Sequence, residues 1–302
     1  MEKLVVILGP TASGKTSLAV KLASAHSGEI ISADSRQIYI GMDIGTGKDL
    51  KEYQFKNKKI PYHLIDILLP EKDYSVFQFK NDFHTIYERI NHAKRNTILC
   101  GGTALYLDSI LFNYDMMGSA PNKILRDNLE KLSIEELIDK LVKLDKSLYD
   151  VNFHTTKRRI IRSIENLNSE QLKSKKSINK VIHNPLVIGI DVERDILLIK
   201  IKERLLHRLK NGMIEEVQKL IKDGMTLDRL KYFGLEYKFV GEYLFNNIDY
   251  DQMVSELNTA INRFSKRQMT FFRRMEKQGV KINWIKSDAT NDALDITKKY
   301  FE

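Results

Sequence analysis

Short apolar runs alternate with amphipathic segments in the N-terminal third of the chain. Leu4 to Leu8 is an apolar, β-branched run that leads into a glycine, which predicts a buried parallel strand. Residues 29–33 and 97–100 form similar runs, and helix-like segments at 17–24 and 77–94 lie between them. This alternation predicts an α/β fold with a parallel sheet and right-handed crossovers.

The pattern changes between about residues 122 and 180, where amphipathic helical segments dominate and strand signals are scarce. This stretch carries fourteen basic and nine acidic residues. A strand-like run and a long helical pattern at 195–210 follow it. We therefore predict a discontinuous α/β core, formed by residues 1–120 and 183–302, with a helical insertion domain at 121–182.

A glycine-rich loop directly after the first strand fits the pattern G-x-x-x-x-G-K-[S/T] at every fixed position. The loop consists of Gly9, Pro10, Thr11, Ala12, Ser13, Gly14, Lys15 and Thr16. In such a P-loop, backbone N–H groups and a helix N-terminus surround phosphate oxygens, the lysine neutralises charge, and the hydroxyl can bind Mg²⁺. The motif predicts a P-loop core that binds a phosphate or diphosphate group, as in nucleotide-binding and ATP-binding proteins, with Thr16 as a ligand of Mg²⁺.

Two further motifs follow strands that should end beside this loop. The second strand leads into SADSRQIY, whose Asp34 can act as a general base, or else can hold a turn or tune a magnesium ion. The strand at 97–100 leads into CGGTALY, whose Thr103 is either a hydroxyl of the site or a helix N-cap. A strand ending in a magnesium-binding aspartate, which a nucleoside triphosphatase needs, is represented only weakly, by Asp66 in HLID.

The motifs GPTASGKT, SADSRQIY, GMDIGTGK, YHLIDI, CGGTALY and SKRQMTFFR occur in an order that resembles tRNA dimethylallyltransferases, also called tRNA isopentenyltransferases. The resemblance extends over nearly the whole chain. It implies transfer of a dimethylallyl group from dimethylallyl diphosphate to N6 of adenine 37 in tRNAs that read codons beginning with U. It also implies that the backbone amides of Thr11 to Thr16 hold the diphosphate and that ATP is not consumed.

The resemblance also implies a role for each matching residue. Asp34 would take the proton from the attacking amine, Thr103 would bind near the adenine, and Arg204 would bind the diphosphate, all three as catalytic residues. The implied contacts with the tRNA anticodon stem-loop are Asp34, Ser35, Arg36, Gln37, Thr103, Arg126, Arg158, Arg159, Ile160, Ile161, Arg162, Lys231, Gly234 and Arg267. The chain departs from the family pattern at 154–157, 234–237 and Asn262, in segments that concern RNA binding more than the chemistry.

Charge and composition fit an RNA partner. The chain has 49 basic and 40 acidic residues, a net charge of +9, and basic clusters at 157–162 and 263–281. Its single cysteine excludes a disulfide framework and a cysteine-rich zinc site. No apolar run approaches the roughly 18 residues of a membrane span, and the N-terminus does not resemble a secretion signal. We therefore expect a cytoplasmic enzyme, without a membrane partner, that acts as a monomer.

Three other functions remain open on the residues alone. A P-loop small-molecule kinase or nucleoside triphosphatase would use the same loop, but would need a better magnesium carboxylate. An isopentenyltransferase acting on free AMP or ADP would leave the helical insertion and the basic segment at 263–281 without an RNA to bind. In a non-catalytic RNA-binding protein, Asp34 would be only structural.

Overall fold

The structure, a computed structural model of the chain, describes residues 3–113, 122–151, 154–168 and 181–302. The chain divides into two compact units, residues 1–113 with 180–302, and residues 114–179. The second unit overlaps the insertion expected at 121–182, although both of its junctions with the first unit fall outside the described residues.

A parallel β-sheet forms the centre of the first unit. Its strands are β1 (Leu4–Leu8), β2 (Gly28–Ser32), β5 (Tyr62–His63), β6 (Asn96–Cys100), β7 (Leu186–Asp191) and β8 (Ile282–Lys286), and a separate antiparallel pair is formed by β3 (Gln54–Phe55) and β4 (Lys58–Lys59). Among the described residues the order of the main sheet is β5-β2-β6-β1-β7-β8, and every neighbouring pair is parallel. The predicted α/β class with a parallel sheet is therefore confirmed.

The helices complete both units. Those of the first unit are α1 (Lys15–Ala25), α2 (Val76–His92), α3 (Ala104–Leu111), α7 (Arg194–Lys210), α8 (Met213–Lys222), α9 (Leu227–Tyr232), α10 (Leu235–Leu244), α11 (Tyr250–Lys277) and α12 (Thr290–Phe301), and those of the second unit are α4 (Lys123–Leu129), α5 (Ile134–Leu144) and α6 (Lys157–Asn168). Short 3₁₀ turns lie at Leu50–Tyr53 and Lys146–Leu148. Within the described ranges, no helix combines the length and the apolar character needed to cross a membrane.

Both faces of the sheet are buried, which explains the uninterrupted apolar run of β1. Leu4, Val6 and Leu8 pack in one cluster with side chains of α2, α3 and the end of α11. Val5 and Ile7 belong to a second cluster, with side chains of α1 and α12. Because alternate residues of a strand point to opposite faces, a strand covered on both sides must be apolar at each position.

Two more apolar clusters stabilise the helical parts of the chain. In the first unit, α7, α8, α10 and α11 share a cluster that includes Leu197, Ile201 and Leu205, one residue per turn of α7. In the second unit, α4, α5 and α6 enclose a small core of Leu129, Leu137, Leu141, Ile160, Ile161 and Ile164. Helices α7 and α11 also contribute side chains to a cavity of the first unit.

Candidate active site

A cavity of about 900 Å³ lies in the first unit where β1, β2 and β6 end. The segments that follow these three strands, Thr11–Ser17, Asp34–Gln37 and Gly101–Ala104, all line its wall. The carboxyl ends of parallel strands meet at one edge of a sheet, so three distant motifs come together there. The other residues predicted for the site that line this cavity are Arg204, Gly234 and Arg267.

The P-loop makes the wall of the cavity that suits an anion. Gly14 precedes α1 with a left-handed backbone, φ 88°, and Lys15 donates a hydrogen bond from Nζ to the carbonyl of Pro10 at 2.7 Å. The N–H groups of Lys15 and Thr16 belong to the first turn of α1, where an α-helix offers no acceptor of its own. These groups, with the helix dipole, favour a bound phosphate oxygen.

The structure corrects the expectation that every amide from Thr11 to Thr16 faces the diphosphate. The N–H of Thr11 donates to Oε1 of Gln268 at 2.9 Å, and the N–H of Ser13 donates to the carbonyl of Pro10 at 3.3 Å. Both amides are used within the protein because the loop closes back on itself and against α11. The expectation therefore does not hold for Thr11 and Ser13, whereas the N–H groups at the start of α1 point to no acceptor of their own helix.

Two cations from distant parts of the sequence lie at this wall. Arg204, on α7, donates from Nη2 to Oγ1 of Thr11. Burial, with a smaller contribution from the neighbouring Arg204 charge, lowers the pKa of the Lys15 ammonium to about 8. Burial also lowers the pKa of Arg204 to about 10, with a contribution from the charge of Arg208. A bound polyanion would raise both pKa values again, because a nearby negative charge favours the protonated forms.

A carboxylate and a hydroxyl lie at the neighbouring strand ends. Oδ1 of Asp34 accepts the N–H of Arg36 at 2.9 Å. Oγ1 of Thr103 accepts the N–H of Ser35 at 2.9 Å and donates to Oγ of Ser35 at 3.3 Å. Thr103 occupies the N-cap position of α3, but its side chain makes no capping hydrogen bond. The hydroxyl instead joins the turns that follow β2 and β6.

The first of the two glycines before Thr103 permits a close approach between those turns. A Cβ atom on Gly101 would lie only 2.2 Å from the carbonyl oxygen of Ala33. Carbon and oxygen that are not bonded cannot approach so closely, so the sequence needs glycine here for steric reasons. The close backbone approach expected at the glycines of CGGTALY therefore occurs at Gly101, against Ala33.

The GMDIGTGK segment forms another wall, with Gly45, Thr46 and Gly47 lining the cavity. Glu216 holds this segment from α8, because its carboxylate accepts the N–H groups of Asp43, Ile44 and Gly45 at 2.7–3.0 Å. The sequence alone gave no indication that Glu216 had this role, because a glutamate on a helix is usually a solvated residue.

Asp66, the weak candidate for a magnesium-binding aspartate, has a different role. Its carboxylate pairs with the buried Lys48, which also bonds to Asp43 at 2.6 Å and to the carbonyl of Tyr39 at 2.7 Å. Asp66 is not among the residues of the cavity wall. Asp66 is therefore not placed to bind magnesium in this cavity, as a nucleoside triphosphatase would require.

The C-terminal helices supply residues that were not expected from the sequence. Phe264, Gln268 and Phe271 of α11 line the cavity, together with Arg208 of α7. The SKRQMTFFR motif points to this helix, but from it only Arg267 is predicted as a site residue. The guanidinium of Arg267 lies 5.9 Å from the ring centre of Phe264. Which residues of a long amphipathic helix reach a cavity depends on the packing of that helix.

The remaining RNA-contact candidates of the first unit lie around α9 and α10. The guanidinium of Arg36 lies 5.3 Å from the ring centre of Tyr232. Lys231 pairs with Glu242 at 3.0 Å and is absent from the cavity wall, whereas Gly234 lines the cavity and precedes α10 with φ 125°. Of these three residues, Lys231 is the one that the structure does not bring to the cavity.

In the second unit, the candidate arginines are partly engaged by one acid. Glu165 receives two hydrogen bonds from Arg126, at 2.6 and 2.7 Å, and one from Arg162 at 3.1 Å. Burial opposes ionisation of Glu165, but the hydrogen bonds from Arg126 and Arg162 outweigh it and lower the pKa. Arg126 and Arg162 are thus joined through a single carboxylate.

The structure corrects the expectation that Ile160 and Ile161 contact tRNA. Both side chains are buried in the core of the second unit, because this face of α6 packs against α4 and α5. Arg158 and Arg159, on the same helix, are exposed. The candidates for RNA contacts on α6 are therefore the arginines.

Comparison with known proteins gives consistent matches over most of the chain. The family model described as IPP transferase matches residues 37–275. The tRNA dimethylallyltransferase 1 of Azobacteroides pseudotrichonymphae is 45% identical over 284 residues, which covers 94% of this chain and 92% of that protein. The tRNA dimethylallyltransferase 2 of Bacteroides fragilis is 46% identical over 285 residues, or 93% of this chain and 92% of that protein.

A solved structure is similar over the full length. The crystal structure of the full-length tRNA isopentenylpyrophosphate transferase from Bacillus halodurans is 30% identical, with a TM-score of 0.73. The match covers 100% of this chain and 97% of the other.

Proposed function

The chain belongs to the tRNA dimethylallyltransferase family of transferases, and we propose that its cavity transfers a dimethylallyl group from dimethylallyl diphosphate to N6 of adenine 37 in tRNAs that read codons beginning with U. The supporting observation is that one cavity combines a P-loop, the cations Lys15 and Arg204, and the pair Asp34 and Thr103. The leaving diphosphate needs the P-loop and its cations, and the incoming amine needs the carboxylate and hydroxyl beside them.

The P-loop side would bind the donor and stabilise its leaving group. As the allylic C–O bond breaks, negative charge develops on the diphosphate. Lys15, Arg204 and the first turn of α1 would stabilise that charge without reorganising, which is how fixed charges and dipoles lower a barrier. Phe264 and Phe271 supply apolar area in the same cavity, which suits the dimethylallyl group.

Magnesium fits this site through oxygen donors. The hydroxyl of Thr16 lines the cavity and would hold the ion, and Mg²⁺ commonly combines one or two protein oxygens with substrate phosphates and water. Among the described residues there is no larger cluster of His, Cys, Asp or Glu arranged for a metal ion. When bound, Mg²⁺ would neutralise part of the charge on the leaving diphosphate.

The Asp34 side would receive the adenine. The N6–C bond forms as the C–O bond breaks, and the proton lost from N6 passes to the Asp34 carboxylate. An exocyclic amine is a weak nucleophile, so holding it against the allylic carbon supplies much of the rate. The adenine must leave its stack in the anticodon loop to enter the cavity, as bases do in other enzymes that modify them.

The other candidate functions are less well supported. A nucleoside triphosphatase or small-molecule kinase would need a magnesium carboxylate, and Asp66 is bound to Lys48 instead. A transferase acting on free AMP or ADP would have no use for the exposed arginines of α6 in the second unit. We also propose that the enzyme acts as a monomer in the cytoplasm, because one chain supplies the P-loop, both cations and the pair Asp34 and Thr103, and because unmodified tRNA is the substrate.

One assay tests the proposed function. The protein is incubated with radiolabelled dimethylallyl diphosphate, Mg²⁺ and either unmodified tRNA or AMP. We expect label in tRNA, at adenine 37 after nuclease digestion, and none in AMP. Label in AMP alone would favour the free-nucleotide enzyme, and label in neither acceptor would refute the transferase proposal.

The depressed pKa of Lys15 predicts a pH dependence of donor binding. Lys15 is charged below its pKa of about 8 and loses its proton above it. Donor binding needs the charged form, so kcat/KM for dimethylallyl diphosphate should be flat from pH 7 to 8 and fall about tenfold per pH unit above that. The Lys15→Arg variant should retain its charge and lose this break. An unchanged kcat/KM up to pH 9.5 in the original enzyme would contradict the prediction.

Arg158 and Arg159 should contribute to RNA binding mainly through phosphate contacts. Replacing both with alanine should weaken tRNA binding and reduce the slope of log Kd against log salt by about 1 to 2, since each cation releases roughly one counterion. Alanine at Lys140 and Lys143, two exposed lysines of α5, removes equal charge from the same unit as a control. A slope that changes equally in both double variants would contradict a specific role for the two arginines.

A further inference from the structure

The buried side chain of Gln268 connects two parts of the cavity wall. Its Oε1 accepts the N–H of Thr11 at 2.9 Å, and its Nε2 donates to the carbonyl of Gly102 at 2.8 Å. Because one partner can only donate and the other can only accept, the orientation of the amide is fixed by its surroundings. Both ends of the amide are therefore used, and each is bound to the backbone of a different loop.

The two loops have different roles under the proposed function. Thr11 belongs to the P-loop, and its side chain also contacts Arg204. Gly102 precedes Thr103, whose hydroxyl is bonded to Ser35 beside Asp34. Gln268 thus lies between the wall that would hold the diphosphate and the wall that would hold the adenine.

We infer that Gln268 is a positioning residue that sets the separation of the donor and acceptor walls. This inference rests on the proposed function, because it matters only when two substrates must react across the cavity. Bond formation needs the reacting atoms about 3 to 3.5 Å apart, and a displacement of about 1 Å can lower the rate 100-fold. A side chain that fixes both loops should therefore affect the chemical step more than the binding of either substrate.

Gly102 offers an independent way to displace Gln268. A Cβ atom on Gly102 would lie 2.6 Å from Nε2 of Gln268, while the next nearest atoms, Cδ of Gln268 and Cε of Lys15, would be at 3.8 Å. The amide of Gln268 is therefore the one group in the described structure that an added methyl at 102 would strike. Glycine at 102 and glutamine at 268 form a matched pair, and their substitutions should not be additive.

The test is a double-mutant cycle with Gln268→Ala, Gly102→Ala and both together, in single-turnover reactions with saturating tRNA and dimethylallyl diphosphate. We expect each single variant to slow the reaction about 10- to 100-fold, with KM for each substrate within about threefold. The double variant should be no slower than Gln268→Ala alone, since the group struck by the new methyl is gone. Gln278→Ala, at the exposed end of the same helix, should retain the original rate.

Several results would overturn the inference. These are an unchanged single-turnover rate in Gln268→Ala, a double variant slowed by the product of the two single effects, or a raised KM for the donor with the rate intact. Thermal unfolding and the affinity for inorganic diphosphate check that each variant is folded with a working P-loop. If Gly102→Ala does not fold, Gln268→Glu replaces it. The glutamate keeps the acceptor for the N–H of Thr11 but loses the donor to the carbonyl of Gly102. An unaltered single-turnover rate in Gln268→Glu would refute the inference. Failure of the original enzyme to modify tRNA would refute the proposed function instead.

Discussion

Asp34→Asn is expected to lower the rate of dimethylallyl transfer by about two to four orders of magnitude, which is the usual contribution of a general base. The amide has nearly the shape of the carboxylate but cannot accept a proton from N6 of the adenine. Affinity for tRNA should stay within a few fold, because most of the residues proposed to contact the anticodon stem-loop lie elsewhere. Single-turnover transfer and equilibrium tRNA binding measure the two quantities separately.

The hydrogen bond from the Arg36 N–H to Oδ1 of Asp34 makes asparagine the informative substitution. Asparagine can still accept that bond, whereas Asp34→Ala removes both the base and the support of the turn. If Asp34 is the base, both variants should be similarly slow, and only the alanine variant should lose tRNA affinity. Near-normal transfer by Asp34→Asn, with loss of transfer and of tRNA affinity in Asp34→Ala, would show that Asp34 is only architectural.

Arg204→Gln should lower kcat/KM for dimethylallyl diphosphate about 100- to 1,000-fold, the range found when one fixed donor to a developing negative charge is removed. Arg204 reaches the P-loop through Thr11, and burial lowers the pKa of its guanidinium, so a bound diphosphate would favour the charged form. Part of the loss should appear in kcat, because charge on the diphosphate is greatest as the C–O bond breaks. The affinity for inorganic diphosphate, measured by calorimetry, should also fall.

Lys202→Gln is the matched control, since Lys202 is exposed on the same helix and does not line the cavity. It removes the same charge and should leave kcat/KM within about twofold. Arg204→Lys should recover part of the lost rate, because it restores the charge but not the fork of the guanidinium. Equal losses in the variants at 202 and 204 would mean that only net charge matters.

The positively charged residues proposed to bind the two substrates form two sets, one in the cavity and one on the second unit. Lys15 and Arg204 lie within the cavity, where burial lowers their pKa values and a single polyanion can restore them. Arg158 and Arg159 are exposed on the second unit, where their contribution to RNA binding should depend strongly on salt. Raising the salt concentration should therefore weaken tRNA binding more than donor binding, which separates the two substrates experimentally.

The sequence by itself determined the features that depend on neighbouring residues. The β-branched run at Leu4–Leu8 predicted a buried strand, and GPTASGKT predicted a phosphate-binding loop, because both signals lie within a few consecutive positions. The order of six motifs also identified the family, which the comparisons confirm. Asp34 and Thr103 could be named because each directly follows a predicted strand, and parallel strands end at a common edge.

The tertiary structure decided everything that depends on which distant residues meet. Gln268 bonds to Thr11, 257 positions away, and to Gly102, 166 positions away, and no local pattern encodes such a contact. Ile160 was wrongly expected at the RNA surface because it is next to arginines in sequence, while on a helix successive residues point in different directions. Local chemistry was readable from the chain, but the partners of each side chain were set by how the sheet and helices pack.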